Sequence, residues 1–152
     1  MLIGVALVLE TLWLLADLQI ISLPFLSRSG HSAGAIEAGH IISAQENLKK
    51  RSGDSLIWEP AKAEDILYYH DSLLTLSQSH ATLYLKDQTE LQLSENTLVT
   101  LEEPEEHSTA EIRLRFSKGD LRARNPFNKT QILGKDWVVN LEKGAEVALR
   151  KG

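Results

Sequence analysis

His70-Asp71-Ser72 holds the three residue types of a hydrolytic triad side by side. A Ser–His–acid relay needs those side chains to converge in space. Consecutive residues of an extended strand point to opposite faces, so the run reads as structural. The acidic stretch Glu102-Glu103-Pro104-Glu105-Glu106-His107 could attract a divalent cation, but it has neither the alternating oxygen ligands nor the glycine turn of a calcium loop. It reads as a solvated loop. The five histidines, His31, His40, His70, His80 and His107, show no close zinc spacing, and the chain has no cysteine to supply thiolates or disulfides. No glycine-rich phosphate loop or nucleophile elbow is present. Trp58, Tyr68, Tyr69, Tyr84 and Trp137 could stack on sugar rings, although strand aromatics more often pack against cross-strand neighbours. The expectation is a protein without enzymatic activity, with no catalytic residue, cofactor or metal.

Two acids stand out by their surroundings. From Leu2 to Leu26 there is no Lys or Arg, and fifteen of these twenty-five residues are Leu, Ile, Val or Phe. A membrane-spanning helix needs about 20 mostly apolar residues. Residues 1–26 are therefore expected to form one transmembrane anchor, with insertion outweighing the cost of Glu10 and Asp17. Seven residues apart, Glu10 and Asp17 share a helix face, and an intramembrane acid usually faces protein or water. That face is the candidate contact with another membrane helix; the alternative is that both acids sit in a thin or tilted segment with water defects. A cleaved signal peptide ending near Ala33-Gly34-Ala35 is the rival reading, but the apolar stretch is long and no basic region precedes it.

After Leu26 come all 16 basic residues and 19 of the 21 acids, a balance of −3. That is too mild to name a partner, and it argues against nucleic acid, which requires clustered cations. The longest basic cluster, Lys49-Lys50-Arg51, reads as a solvated strand end or turn. Residues 27–37 form a polar linker, and residues 38–152 a domain of period two. Ala81, Leu83 and Leu85 alternate with polar partners, as do Leu91 and Leu93, then Ile112, Leu114 and Phe116. Weaker strands are expected at Ile41–Asn47, Leu56–Glu59, Ile66–Tyr69, Thr97–Leu101, Leu121–Arg124, Trp137–Leu141 and Glu146–Arg150, the last two as a closing hairpin. Turn signals fall at Asp87-Gln88, Ser94-Glu95-Asn96, Lys118-Gly119-Asp120, Gly134-Lys135-Asp136 and Glu142-Lys143-Gly144, with a loop at Asn125-Pro126-Phe127-Asn128. Short strands at this spacing predict an all-β fold, a short-strand sandwich or a short solenoid. A two-residue type I′ turn is expected at Asp87-Gln88.

The stretch from Ile66 to Leu101 resembles the FecR-type domain of bacterial cell-envelope proteins. Asp71, Thr75, Ser79, Ala81, Leu83, Leu85, Asp87, Leu91, Leu93, Asn96, Thr97 and Leu101 match its pattern, with Asp71, Ser79, Asp87 and Asn96 as its structural polar positions. His70 and Gln88 stand where that family usually has glycine. Gly34 to Arg51 and then Ser55 to Pro60 resemble the strand that opens such domains and its continuation, so that the likeness covers most of Ala38 to Asn125. The resemblance implies a periplasmic domain on a single-pass inner-membrane anchor, with other envelope proteins as partners. The positive-inside rule points the other way, because the basic flank follows the helix; the family expectation is preferred. The expected function is a scaffold or accessory component of an envelope complex. A transmembrane regulator of the anti-sigma type linked to iron uptake is one alternative, although this sequence has no room for an anti-sigma segment. A carbohydrate- or peptidoglycan-binding domain is the other.

Overall fold

A computed structural model of the chain describes residues 34–152. The expected transmembrane anchor, with Glu10 and Asp17, lies outside the described residues. Among the described residues there is no helix. Twelve strands form one curled, almost wholly antiparallel sheet. They are β1 (Glu37–Gln45), β2 (Leu48–Arg51), β3 (Glu59–Ala61), β4 (Ile66–Tyr68), β5 (Ser72–Thr75), β6 (His80–Leu85), β7 (Glu90–Leu93), β8 (Leu98–Glu102), β9 (Ile112–Arg124), β10 (Thr130–Leu133), β11 (Val138–Leu141) and β12 (Glu146–Lys151). The order is β3-β2-β5-β8-β9-β7-β6-β1-β4, with β10 and β12 on the far side of β9 and β11 beyond β10. The all-β expectation holds, but the single curled sheet is half of a barrel and not the expected sandwich or solenoid.

The curl turns on β9. Its first half pairs with β8 on one side and, in parallel, with β10 on the other; its second half pairs with β7 and β12. Sequence alone places a turn at Lys118-Gly119-Asp120, but the chain runs straight through it as strand. Gly119 has φ +103, and the β8 register shifts opposite, between Leu98 and Val99. A glycine bulge of this kind bends a strand and re-aims its second half without ending it. A Cβ at Gly119 would lie 2.3 Å from the Thr97 Cα, so the two backbones meet only because position 119 has no side chain.

The period-two pattern decides which face is buried. Ile41, Leu83, Leu91, Ala123 and Val147 stand in one cross-strand row inside the curl, and Ala81, Leu93, Leu121 and Leu149 in the next. Leu48, Leu73, Val99, Leu101, Ile112, Leu114, Phe116, Ile132 and Leu141 close the core from the other limb. A one-residue slip would turn either row to solvent, so burial pins the register.

Three further expectations are corrected. Leu56–Glu59 is not a strand: β3 starts at Glu59, and Leu56 and Ile57 form an exposed loop tip, 93% and 68% accessible. The last two strands are not a hairpin with each other, since β11 joins β10 and β12 joins β9. The type I′ turn is absent. Gln88 N donates to Leu85 O at 2.9 Å and Leu85 N to Thr89 O at 2.9 Å, and only Gln88 within the loop has positive φ, at 69°. This is a three-residue loop, a type I turn followed by a left-handed residue, which fits the strand twist equally well.

Candidate interaction surface

Left-handed residues recur at the turns. Asp65, Asp71, Ser79 and Ser108 each donate their N–H to the carbonyl three residues earlier, and the residue before each, Glu64, His70, Gln78 or His107, has positive φ. That is the geometry of a type II turn, whose third position normally calls for glycine. Two of these turns share a further device. Asp71 Oδ2 accepts Tyr68 N at 2.9 Å, and Asp65 Oδ2 accepts Lys62 N at 3.0 Å, so each aspartate closes its own turn. Asp71 is buried, and its carbonyl accepts Leu101 N at 2.9 Å, fastening the turn to β8. His70 is exposed with Nε2 3.6 Å from Glu103, whereas the Ser72 hydroxyl is bonded to Thr100 Oγ1 at 2.8 Å. The triad letters therefore serve three separate local tasks.

Ser79 and Asn96 lie at the neighbouring turns. Ser79 Oγ accepts Asn47 N at 2.9 Å and donates to Ser77 O at 3.2 Å, tying the β5–β6 turn to the β1–β2 corner. Asn96 is left-handed, with φ 54°, and lets the β7–β8 turn close. Beneath it Thr97 Oγ1 donates to Asp120 O at 3.0 Å, and Thr75 Oγ1 accepts Thr97 N at 2.9 Å.

Asp87 is the centre of a buried polar cluster that sequence reasoning did not assemble. Oδ1 accepts Thr89 N at 2.9 Å, and Oδ2 accepts Thr130 Oγ1 at 2.9 Å. Thr89 and Thr130 hydroxyls lie 2.6 Å apart, and Asn125 Nδ2 reaches Thr89 Oγ1 at 2.8 Å. Asn125 Nδ2 also lies 3.0 Å from Thr130 Oγ1, so the donors run from Asn125 through Thr89 and Thr130 to Asp87, with Thr130 Oγ1 accepting from both Asn125 and Thr89. Asn125 Oδ1 then accepts Phe127 N at 3.0 Å and Asn128 N at 2.8 Å, which holds the loop between β9 and β10. Only the Asp87 half of the cluster was flagged by the family pattern. The sole sequence signal for the rest is the Asn125-Pro126 pair, which marks a turn but not its partner 38 residues away.

The outer face of the curl is polar and regular. His40, Tyr84, Glu90, Arg124 and Glu146 stand in one cross-strand row, with the His40 and Tyr84 rings 5.9 Å apart. Arg122 Nε lies 3.4 Å from Glu146, and Arg150 Nη2 2.7 Å from Asp120. The aromatic residues divide. Trp58 lies under the Arg51 guanidinium at 4.9 Å, while Trp137 packs on Phe116 with centroids 6.4 Å apart. Lys49-Lys50-Arg51 forms most of β2 and is half-buried. Burial, and then the charges of Asp87, Glu103 and Glu111, raises the Tyr69 hydroxyl above its ordinary pKa.

The acidic segment Glu105-Glu106-His107 rims an open groove whose other wall includes Lys129, Gln131 and Glu142. Arg113 Nη1 binds Glu105 at 2.9 Å, which commits one of these carboxylates to the sheet. Among the described residues no three metal-ligating side chains converge, and no helix is long and apolar enough to cross a membrane. No family model, curated protein or solved structure matches the chain.

Proposed function

We propose that this chain is a membrane-anchored interaction module of the bacterial cell envelope, a FecR-type β-domain that serves a larger complex as scaffold or accessory component and performs no catalysis. The observation that carries the reading is backbone geometry at two positions. The FecR pattern has glycine before Asp71 and after Asp87, and the residues here, His70 and Gln88, have φ 71° and 69°. Glycine is what such positions ask for. The departures from the pattern therefore fall where the pattern's own requirement is still visible in the fold. Asp71 through Oδ2, and Asp87 through both carboxyl oxygens, hold turn amides and a neighbouring hydroxyl, work that supports a scaffold.

Residues 1–26 supply the inner-membrane anchor in this reading, and the domain lies in the periplasm. A periplasm-active reporter fused after Gly152 is expected to be active and a cytoplasm-active one silent; the opposite pattern overturns the topology and hands it to the basic flank. Glu10 and Asp17 form the face toward a partner helix. Replacing both by leucine is expected to strengthen insertion and to remove co-purifying membrane proteins in detergent. Unchanged co-purification would assign the partner contact to the β-domain instead.

A further inference from the structure

We infer that β12 is a dimerisation edge, pairing antiparallel with β12 of a second copy so that the curled sheet continues from one chain into the next. Among the described residues four strands have a partner on one side only: β3, β4, β11 and β12. Three are short or blunted. β3 has three residues and contains Pro60, β4 has three and its Ile66 carbonyl takes the Lys50 ammonium at 3.2 Å, and β11 has four. β12 has six residues and no proline. Its Arg150 side chain is folded back onto Asp120 and does not shield the edge.

The ladder shows which backbone groups are exposed along β12. Ser94 N donates to Asp120 O at 3.0 Å and the Asp120 N–H goes to Thr97 Oγ1 at 2.9 Å on the same side, so Arg122 and Arg124, two and four residues on, direct their N–H and C=O groups at β7. Leu121 and Ala123 are left to face β12, where they stand opposite Leu149 and Val147. Asn125 N donating to Ala145 O at 3.4 Å continues the same parity. Along β12 the odd residues thus bond inward to β9, and Glu146, Ala148 and Arg150 present free ladder groups outward.

Only even positions can pair with even positions, and this leaves few registers. With Ala148 opposite Ala148 of the second copy, Glu146 faces Arg150 and Arg150 faces Glu146. On the inner face Val147 meets Leu149, extending the two apolar core rows that end half-covered at this edge. The outer face then reads Arg122, Glu146, Arg150 of the second copy and its Asp120, alternating in sign throughout. A shift of two residues puts Glu146 opposite Ala148 or Gly152 and loses both charge pairs. Opposite charges directly across a pair are favourable, and like charges are not. A two-fold axis through Ala148 makes one patch serve both copies.

The chain lacks cysteine, which gives a clean test in the full-length protein in its membrane. At a hydrogen-bonded pair the two Cα atoms lie about 5.5 Å apart, within the range of about 4.4–6.8 Å that a disulfide spans. Ala148→Cys is expected to give a disulfide dimer under mild oxidation, at least ten times faster than Lys143→Cys in the turn before β12. Ala148→Pro removes an N–H that faces outward, so the intrachain ladder survives while the edge is blocked. Its particle mass by light scattering in detergent is expected to halve, with unchanged far-ultraviolet circular dichroism. Equal cross-linking of the two cysteine variants overturns the proposal, as does a dimeric Ala148→Pro variant. A monomer whose β12 amides resist hydrogen exchange also overturns it, and identifies the cover as another part of the same chain.

Discussion

Asn125 Nδ2 lies 3.2 Å from Asp87 Oδ2, in a site where both side chains are buried. The contact joins the end of the central strand β9 to the β6–β7 turn, and through Asn125 Oδ1 it also shapes the loop leading into β10. Removing the amide leaves a buried acid and two loop N–H groups short of partners at once. Asn125→Ala is therefore expected to cost about 3 kcal/mol of unfolding free energy in a urea titration. A loss under about 1 kcal/mol would mean that water replaces the amide and that the cluster is not a structural latch.

At Gln88 the expected change has the opposite sign. A non-glycine residue held at φ 69° carries conformational strain of about 1 kcal/mol, and the side chain is exposed. Gln88→Gly relieves the strain and adds freedom to the unfolded chain, so a net gain of up to about 1 kcal/mol is expected. Chemical denaturation decides the sign; a clear loss would show that the glutamine side chain contributes packing.

Gly119→Ala should be among the most damaging single changes in the domain. Its φ of +103° is strained for any L side chain, and the new methyl would meet the Thr97 backbone at 2.3 Å. A loss of more than about 3 kcal/mol, or failure to fold, is expected. A variant with near-native melting would show that the β9 bend tolerates a side chain and that Thr97 can retreat.

The Tyr69 hydroxyl, raised first by burial and then by the charge of Asp87, holds its proton more tightly folded than unfolded. The sign follows from linkage. Its contribution is fully present below the unfolded pKa of about 10 and is lost as pH rises through the higher folded value. Stability is expected to fall more steeply above about pH 10 than in Tyr69→Phe. Parallel slopes for the two proteins in alkaline melts would remove Tyr69 as the cause.

Alternation of apolar and polar residues was enough to determine that residues after the linker are all-β. It also named most of the core, because a strand's side-chain period of two is written directly in Leu83-Tyr84-Leu85, Leu91-Gln92-Leu93 and Ile112-Arg113-Leu114. Asp87 and Asn96 were legible as turn residues, and Asp71 and Ser79 as polar positions of the FecR-type pattern. Tertiary structure decided what each turn does and which strands meet. Lys118-Gly119-Asp120 has turn composition yet lies inside β9, because pairing on both sides supplies enough ladder bonds to carry the strand through a bulge. Leu56-Ile57-Trp58 has strand composition yet forms a loop, because β2 is paired instead with Glu59–Ala61 and the apolar tip finds no core to enter. The partnership of Asp87 with Asn125 and Thr130 was invisible for the same reason: hydrogen bonds across 38 and 43 residues depend on β7 and β10 both pairing with the bent strand β9, and no local periodicity encodes it.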